Sequence, residues 1–523
     1  MEQKYTPCPV YRKCGGCQLQ NLDYQRQLRW KQDRCEKLLD EFGKIEPILG
    51  MEQPYHYRNK VQAAFARDRR SGRILSGVYQ SSTHRIVPVD SCLTEDETAD
   101  TIIVSIRKLL KAFKLTAYDE VAGRGFLRHV LVKRGFCTGE IMVVLVTGTP
   151  VFTAKKHFVQ ELLKLHPEIT TIIQNVNDKY TSMVLGQSEK VLYGPGTITD
   201  VLCGCKFRIS SKSFYQINPV QTEALYGKAM EFAGLTGKEK VLDAYCGIGT
   251  IGIIAAKRGA GEVTGVEVNR DAVKDAIANA RENKVKNIYF HCADAGEFME
   301  EMAAEGERCG VVFMDPPRAG ASGEFLRALC SMGPERVVYI SCNPETLARD
   351  LKYLRANHYR VEKIQPVDMF PHTQHIEMVV LMSKVGGSNP STSSILPQHS
   401  ILNMGEFPSG QRGQTVNLLS MTSVVRIHLP PPKIPNILLD GRNFLILGEG
   451  GFERRLLATV QWTVATAVAF SAEKANPPSC CKFRADFRGE YRLSRNLRVL
   501  HSTTLTPTLT PTAMGRNVPG WTK

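Results

Sequence analysis

Two short polar blocks near the middle of the chain carry residue types that could do chemistry. Residues 311–314 are apolar and precede Asp-Pro-Pro-Arg at 315–318, and residues 336–340 precede Ser-Cys-Asn-Pro at 341–344. Because proline cannot continue a central strand, each block predicts the end of a strand. Ligands bind outside the carboxyl ends of strands in an open α/β sheet. A carboxylate and a thiol at two such ends predict a site, although an isolated cysteine is more often a small buried residue.

A glycine-rich segment further upstream indicates a nucleotide-like cofactor. Residues 247–252 read Gly-Ile-Gly-Thr-Ile-Gly and follow an apolar strand, and Glu267 lies 18 residues after Gly249. This pattern is typical of dinucleotide binding, in which a carboxylate holds ribose hydroxyls. Asp243 closes the first strand, however, and would repel a pyrophosphate. It could instead hold the ammonium group of S-adenosylmethionine, so both cofactors stay open on the motif alone.

Three cysteines near the N-terminus have the spacing of metal ligands. Cys8, Cys14 and Cys17 form C-x5-C-x2-C, with two glycines inside the tight pair that allow the backbone to fold sharply. A fourth ligand is required, and Cys92 is the best candidate because it follows a predicted strand. Cys35 lies in a helical pattern and is less attractive. Four thiolates suit zinc or an iron–sulfur cluster, and spacing does not choose between them.

The chain is long enough for several domains, and its charge is unevenly distributed. Its 523 residues have a net charge of +15, which favours a polyanionic partner. Residues 385–523 carry 15 Lys and Arg against 7 Asp and Glu, a net +8, so the remaining 384 residues hold only +7. The N-terminus has no apolar signal-peptide core, and no window is apolar enough for a membrane span. We therefore expect a cytoplasmic protein, without a membrane partner, whose 15 cysteines are mostly reduced.

Residues 50–205 predict an α+β domain with a basic, aromatic surface. This mixture suits phosphate contacts and base stacking, although a solvated β-rich surface explains it about as well. A second basic segment follows at residues 124–134. The residues of the first segment are Arg58, Lys60, Arg67, Arg69, Arg70, Arg73 and Arg85, with Tyr55, Tyr57, Phe65 and Tyr79 among them.

From about residue 238 the pattern alternates between strands and helices, which predicts an α/β domain. The last two predicted strands, 360–366 and 376–382, are separated by about ten residues. That interval is too short for a helical crossover, so we expect an antiparallel pair at the end of a mainly parallel open sheet. The predicted domains are a cysteine segment with a basic helix (1–49), the α+β domain (50–205), a Rossmann-like catalytic domain (206–384) and a tail (385–523).

Several motifs in order give this chain a specific family resemblance over about residues 5–384. It resembles the RNA uracil-5-methyltransferases, and among them the bacterial 23S ribosomal RNA enzymes that carry a [4Fe–4S] cluster. The motifs are the cysteine segment, Phe-Tyr-Gln-Ile-Asn at 214–218, the glycine-rich segment from Asp243, the two polar blocks, and His-Ile-Glu at 375–377.

The resemblance implies a set of roles. Cys342 would be the nucleophile that adds to carbon 6 of uracil, and Glu377 the base that removes the carbon-5 proton. The implied S-adenosylmethionine contacts are Gln216, Tyr245, Glu267 and Asp315, with Asp294 near the adenine. The implied cluster ligands are Cys8, Cys14, Cys17 and Cys92.

The resemblance also sets the expected substrate and the alternatives. A 23S ribosomal RNA uridine is the expected target, and the enzyme is expected to act as a monomer. Only seven residues precede Cys8, so we expect no small β-barrel of the kind that begins many relatives. A tRNA uracil methyltransferase is the nearest alternative, although the cysteine cluster argues against it. An NAD-binding oxidoreductase and a non-catalytic RNA-binding metalloprotein are weaker alternatives.

Residues 385–523 do not continue the catalytic pattern. They contain Pro- and Ser/Thr-rich pieces that predict disorder. Residues 387–390 and 425–428 can both be encoded by DNA containing GTTCGAATCC, a sequence typical of a tRNA T arm, in different reading frames. We therefore hypothesise that this tail is translated from tRNA genes beyond the true coding end. The alternative is a genuine disordered basic tail.

Overall fold

The structure is a computed structural model that describes residues 7–80, 83, 85–181 and 183–385 and two short strands beyond them. The chain divides into two units, Met1–Leu396 and Pro397–Lys523. Among the described residues no helix is long and apolar enough to cross a membrane.

The N-terminal segment contains one short and one long helix. Helix α1 spans Tyr11–Cys14 and α2 spans Tyr24–Leu39. Asp23 caps α2, because its carboxylate accepts the backbone N–H of Arg26 at 2.9 Å. The helix buries one face, and the four-residue spacing of that face is what a helix requires. The buried residues are Gln27, Lys31, Cys35 and Leu39.

A seven-stranded sheet with two helices follows and forms the central domain. The elements are β1 (Lys60–Arg67), β2 (Ile74–Tyr79), β3 (Ile86–Pro88), α3 (Glu97–Ala112), β4 (Leu127–Arg134), β5 (Ile141–Thr147), α4 (Lys155–Leu165), β6 (Ile169–Val176) and β7 (Ser188–Tyr193). The strand order is β3-β2-β1-β4-β5-β6-β7. β5 and β6 are parallel and joined by helix α4, whereas the other neighbours are antiparallel. The two helices cover one face, where an apolar core forms.

The catalytic domain begins after a hairpin and alternates strands with helices. The hairpin consists of β8 (Ile198–Leu202) and β9 (Cys205–Ile209) and packs into the same core as the catalytic sheet. The following elements are α5 (Pro219–Ala233), β10 (Lys240–Ala244), α6 (Thr250–Lys257), β11 (Glu262–Val266), α7 (Arg270–Glu282), β12 (Ile288–His291), α8 (Ala295–Ala304), β13 (Val311–Met314), α9 (Gly323–Met332), β14 (Arg336–Ser341), α10 (Pro344–Ala356), β15 (Tyr359–Val367) and β16 (Glu377–Lys384).

The second sheet has the predicted open, mainly parallel architecture. Its order is β12-β11-β10-β13-β14-β16-β15. β10 to β14 run parallel to one another, and β16 runs antiparallel to both β14 and β15. The prediction of a Rossmann-like α/β domain is therefore confirmed. The insertion of β16 beside β14 has a consequence for the site, because it brings the start of β16 to the carboxyl end of β14.

The second unit is described only in part. It contains an antiparallel pair, β17 (Asn436–Asp440) and β18 (Asn443–Leu447). The rest of the predicted tail from residue 386 lies outside the described residues. The hypothesis about its origin stays a prediction.

Candidate active site

The thiol of Cys342 and the carboxylate of Glu377 are brought together by strand register. β14 and β16 are antiparallel, and Ser341 pairs with Met378. Cys342 follows Ser341, and Glu377 precedes Met378 and begins β16. The two side chains therefore project from adjacent strands at one edge of the sheet. Residues 35 positions apart in the sequence form one pair only because β16 inserts beside β14.

Asp315 and Arg318 complete the charged surroundings of this pair. Asp315 follows β13, where Met314 pairs with Tyr339 of β14. Burial raises the pKa of Cys342 to about 11, with further increases from Glu377 and Asp315 and a smaller opposing effect of Arg318. Burial also raises the pKa of Glu377 well above its usual value, Asp315 adds to this, and Arg318 opposes it. The thiol and the acid consequently hold their protons more tightly than they would in water.

Gln216 lies near Asp315, because both residues interact with Tyr226 of α5. Asn59 donates from Nδ2 to the Gln216 carbonyl at 3.1 Å, which ties this segment to the central domain. The buried phenol of Tyr226 has a raised pKa because of burial and then Asp315, and a hydrogen bond with the Gln216 side chain acts in the opposite direction. Burial raises the pKa of Asp315 itself to about 7. Gln216, Tyr226 and Asp315 are thus neighbours.

The carboxyl groups of Glu267 and Asp243 accept hydrogen bonds from the backbone of the glycine-rich segment. Glu267 accepts the backbone N–H of Gly247 at 3.1 Å and that of Asn269 at 2.8 Å. Asp243 accepts the N–H of Gly252 at 2.7 Å through Oδ2. A side chain at Gly252 would bring its Cβ within 2.9 Å of that oxygen, so a larger residue would displace the Asp243 carboxyl group. These contacts fix the loop that must approach a cofactor closely.

A buried oxygen of Asp243 provides a test of cofactor fit. Its Oδ1 has no hydrogen-bond partner among the described residues, although the side chain is fully buried. Burial raises the pKa of Asp243 to about 8. With that pKa the acid is protonated at neutral pH, and a bound ammonium group would favour its ionised form and partner the buried oxygen, whereas a pyrophosphate would not. The residues at this loop therefore fit an S-adenosylmethionine ammonium better than a pyrophosphate.

Tyr245, which directly precedes the glycine-rich segment, interacts electrostatically with Asp294. Tyr245 has a φ of 65°, a left-handed conformation that is rare for a residue with a side chain and often marks a functional site. Its ring lies 5.0 Å from that of Phe325. Asp294 caps α8 by accepting the N–H of Gly296 at 2.8 Å, and it also raises the pKa of Tyr245 after burial. The structure therefore brings both residues to the cofactor edge.

The four N-terminal cysteines are neighbours, but they do not form a ready metal site. Burial raises the pKa of Cys17 to about 12, and Cys92, Cys14 and Cys8 each raise it further. The thiol of Cys92 lies 3.4 Å from the Thr94 hydroxyl. Within residues 7–80, 83, 85–181 and 183–385, no group of three or more His, Cys, Asp or Glu side chains is arranged to hold a metal ion. The predicted cluster is therefore not confirmed.

Two residues near the pair were given no role by sequence reasoning. Arg318 was visible within the Asp-Pro-Pro-Arg block, and its effect on the pKa values of Cys342 and Glu377 places it beside them. Tyr226 had no motif signal. Its position becomes apparent only from the packing of α5 against the sheet, where its hydroxyl lies 3.5 Å from that of Thr250.

Comparisons with known proteins agree with this geometry. Residues 23–385 match the profile of the tRNA (uracil-5-)-methyltransferase family. An uncharacterized RNA methyltransferase of Halalkalibacterium halodurans is 45% identical over 382 residues, which cover 72% of this chain and 83% of the relative. A Bacillus cereus protein of the same description is 43% identical over 388 residues, which cover 73% of this chain and 84% of the relative.

A solved structure shares both fold and sequence with this chain. It is the Pyrococcus abyssi tRNA (uracil-54, C5)-methyltransferase in complex with S-adenosyl-L-homocysteine. The two chains are 28% identical with a TM-score of 0.59, and the match covers 70% of this chain and 85% of the other. The fold, the cofactor loop and the profile match favour a methyl donor over a nicotinamide cofactor. The chain belongs to the family of S-adenosylmethionine-dependent RNA uracil-5-methyltransferases.

Proposed function

We propose that the protein methylates carbon 5 of a uridine in 23S ribosomal RNA through a covalent adduct between Cys342 and carbon 6 of the base. The observation that carries this proposal is the register of β14 and β16, which sets a thiol beside a carboxylate at the cofactor edge of the sheet. One thiol and one carboxylate are the minimum that this reaction requires.

Each step assigns a definite task to a residue of the chain. The thiolate of Cys342 adds to carbon 6, the electrons of the C5–C6 double bond move toward O4, and carbon 5 becomes nucleophilic. Bound S-adenosylmethionine would supply the methyl group as an electrophile and leave as S-adenosylhomocysteine. Glu377 then accepts the proton from carbon 5, the double bond re-forms, and the C6–sulfur bond breaks to return the thiolate. The target base must leave its stack to reach the half-buried thiol.

Arg318 supports the addition step electrostatically. Its guanidinium acts against the burial that raises the pKa of Cys342. It is also exposed, so it can contact an entering nucleotide. A positive charge here favours the thiolate and the negative charge that develops on the uracil ring.

The N-terminal cysteines support a ribosomal substrate, because the 23S ribosomal RNA enzymes that this chain resembles carry a [4Fe–4S] cluster. Cys8, Cys14, Cys17 and Cys92 have the ligand type of a [4Fe–4S] cluster, and Cys17 interacts electrostatically with the other three. Thiols with raised pKa values hold protons that a cluster would displace on binding. In this proposal the cluster is structural or positions RNA, because the methylation itself requires no electron transfer.

Metal content gives a direct measurement. Protein purified without oxygen should be brown and contain iron, and Cys14→Ser or Cys17→Ser should remove both colour and iron. The matched control is Cys137→Ser, an exposed cysteine outside the cluster that should leave iron unchanged. Stoichiometric zinc without iron would contradict the iron–sulfur assignment, since four thiolates can bind either metal.

A tRNA substrate is the second candidate, because the Pyrococcus abyssi protein of similar fold is a tRNA (uracil-54, C5)-methyltransferase. Mapping 5-methyluridine across all cellular RNA before and after gene deletion distinguishes a ribosomal substrate from a tRNA substrate. Loss of the modification from 23S ribosomal RNA alone supports the proposal. Loss from tRNA alone would replace it with the second candidate.

A further inference from the structure

Helix α2, which no motif connects with catalysis, contacts both segments that carry the catalytic pair. The guanidinium of Arg34 donates from Nη1 to the carbonyl of Gln374 at 3.2 Å, and its Nη2 forms an ion pair with Glu345. Gln374 precedes Glu377 by three residues, and Glu345 follows Cys342 by three residues. We propose that Arg34 is a positioning residue that sets the separation between Cys342 and Glu377. This inference rests on the catalytic roles given to those two residues in the proposed function.

Arg34 can act in this way because its helix is anchored on either side of it. One turn earlier, Lys31 donates from Nζ to Asp368 at 2.5 Å and to the Phe370 carbonyl at 3.0 Å, and both charged side chains are fully buried. Immediately after Arg34, the thiol of Cys35 lies 3.6 Å from the sulfur of Met378, the residue that follows Glu377. The contacts of Lys31 and Cys35 therefore fix the part of α2 from which the Arg34 side chain extends.

The segment that leads into Glu377 needs such support. His372, within residues 368–376, is buried with a φ of 69°, a left-handed conformation that is unfavourable for a residue with a side chain. Gln27 of α2 holds it, because the His372 N–H donates to Oε1 of Gln27 at 2.8 Å. A second contact comes from outside α2, since Nε2 of His372 lies 2.9 Å from the Pro54 carbonyl. The contacts with Gln27 and Pro54 therefore stabilise a backbone conformation of His372 that is unfavourable by itself.

The two catalytic segments differ in what holds them outside the sheet. Both β14 and β16 have neighbours on both sides. Cys342 is followed at once by Asn343, which caps α10, whereas Glu377 follows the turn that contains His372 in its left-handed conformation. We therefore expect loss of the Arg34 bridge to displace Glu377 more than Cys342, and to impair proton removal more than adduct formation.

Arginine suits this bridge better than lysine. A guanidinium presents donors in a rigid fork and can bind two acceptors at fixed angles, whereas an ammonium is a single compact charge. Burial raises the pKa of Glu345, but the hydrogen bond and the charge of Arg34, together with a backbone hydrogen bond, outweigh burial and leave the pKa below its usual value. The ion pair is therefore maintained at neutral pH.

The test measures the lifetime of the covalent adduct in single turnovers, with samples quenched in denaturant and separated on a denaturing gel. For Arg34→Met we expect methylated adduct to persist about 10- to 100-fold longer, because a misplaced base loses the proximity advantage. The affinity for S-adenosylmethionine should not change. Arg34→Lys should also prolong the adduct, since lysine cannot bridge both acceptors.

The matched control is Arg26→Met on the same helix. Arg26 is more exposed than Arg34 and pairs only locally with Asp23, so this variant should have the wild-type adduct lifetime. A wild-type lifetime in either Arg34→Met or Arg34→Lys would overturn the positioning role, and the lysine variant keeps the test usable if the methionine variant does not fold. If wild-type protein forms no adduct with uridine-containing RNA, the proposed function itself fails instead.

Discussion

Cys342→Ser is expected to yield neither methylated RNA nor a denaturant-resistant complex. Its hydroxyl is far less acidic than a thiol, so it cannot supply the anion that adds to carbon 6. We expect activity to fall by about 10⁴-fold or more, as when a covalent enzyme loses its nucleophile. The measurement is incorporation of labelled methyl groups into RNA, together with the shifted band of the adduct on a denaturing gel.

Cys330→Ser is the control for this substitution. Cys330 lies on α9 near Lys384, at the opposite end of the sheet, and its thiol has no role in the proposed reaction. This variant should retain wild-type methylation. Methylated RNA from Cys342→Ser at rates near those of the wild type would show that the covalent mechanism is wrong, whatever its effect on RNA binding.

The raised pKa of Cys342 adds a dependence on pH. With a pKa of about 11, the thiol is protonated at neutral pH, and the thiolate fraction increases as pH rises. The rate of adduct formation in wild-type protein should therefore increase about tenfold per pH unit from pH 7 to 9. Its measurement in single turnovers requires saturating RNA, so that pH effects on binding do not enter.

Much of the fold was predictable because its signals are local. Prolines mark the ends of β13 and β14, glycines mark the cofactor loop, and the short interval between the last strands predicted their antiparallel pairing. Each signal depends on residues adjacent in sequence. The pairing of Cys342 with Glu377 was implied only by the family resemblance, because register between β14 and β16 depends on strand order across the whole sheet.

The features that sequence reasoning missed are those that depend on side-chain direction across distant elements. Arg34 resembles every other arginine of a basic helix, and only packing reveals that it contacts Gln374 and Glu345. The orphaned oxygen of Asp243 is similar, since a strand-terminal carboxylate does not indicate which of its oxygens finds a partner. The cysteines show the opposite case, because their clear spacing pattern is not matched by a formed metal site in the part of the chain that the structure describes.

Glu377→Gln is expected to separate methyl transfer from product release. The amide keeps the size of the side chain but cannot accept the carbon-5 proton, so Cys342 should still add to uracil and the base should still be methylated. Elimination should then slow by about 10²- to 10⁴-fold, the usual contribution of a general base. A methylated protein–RNA adduct should accumulate, and it should require both Cys342 and the methyl donor.

The titration of Glu377 predicts a related effect in the wild-type protein. Burial and Asp315 raise the pKa of this carboxyl, so it becomes protonated as pH falls through that raised value and can no longer accept a proton. Lowering the pH should therefore lengthen the lifetime of the wild-type adduct, whereas the lifetime in Glu377→Gln should be far less sensitive to pH. Normal turnover by Glu377→Gln, or the same pH dependence in both proteins, would place the base on another residue. Asp315 would then be the first to test, because its carboxyl has a pKa of about 7 and acts electrostatically on both Cys342 and Glu377.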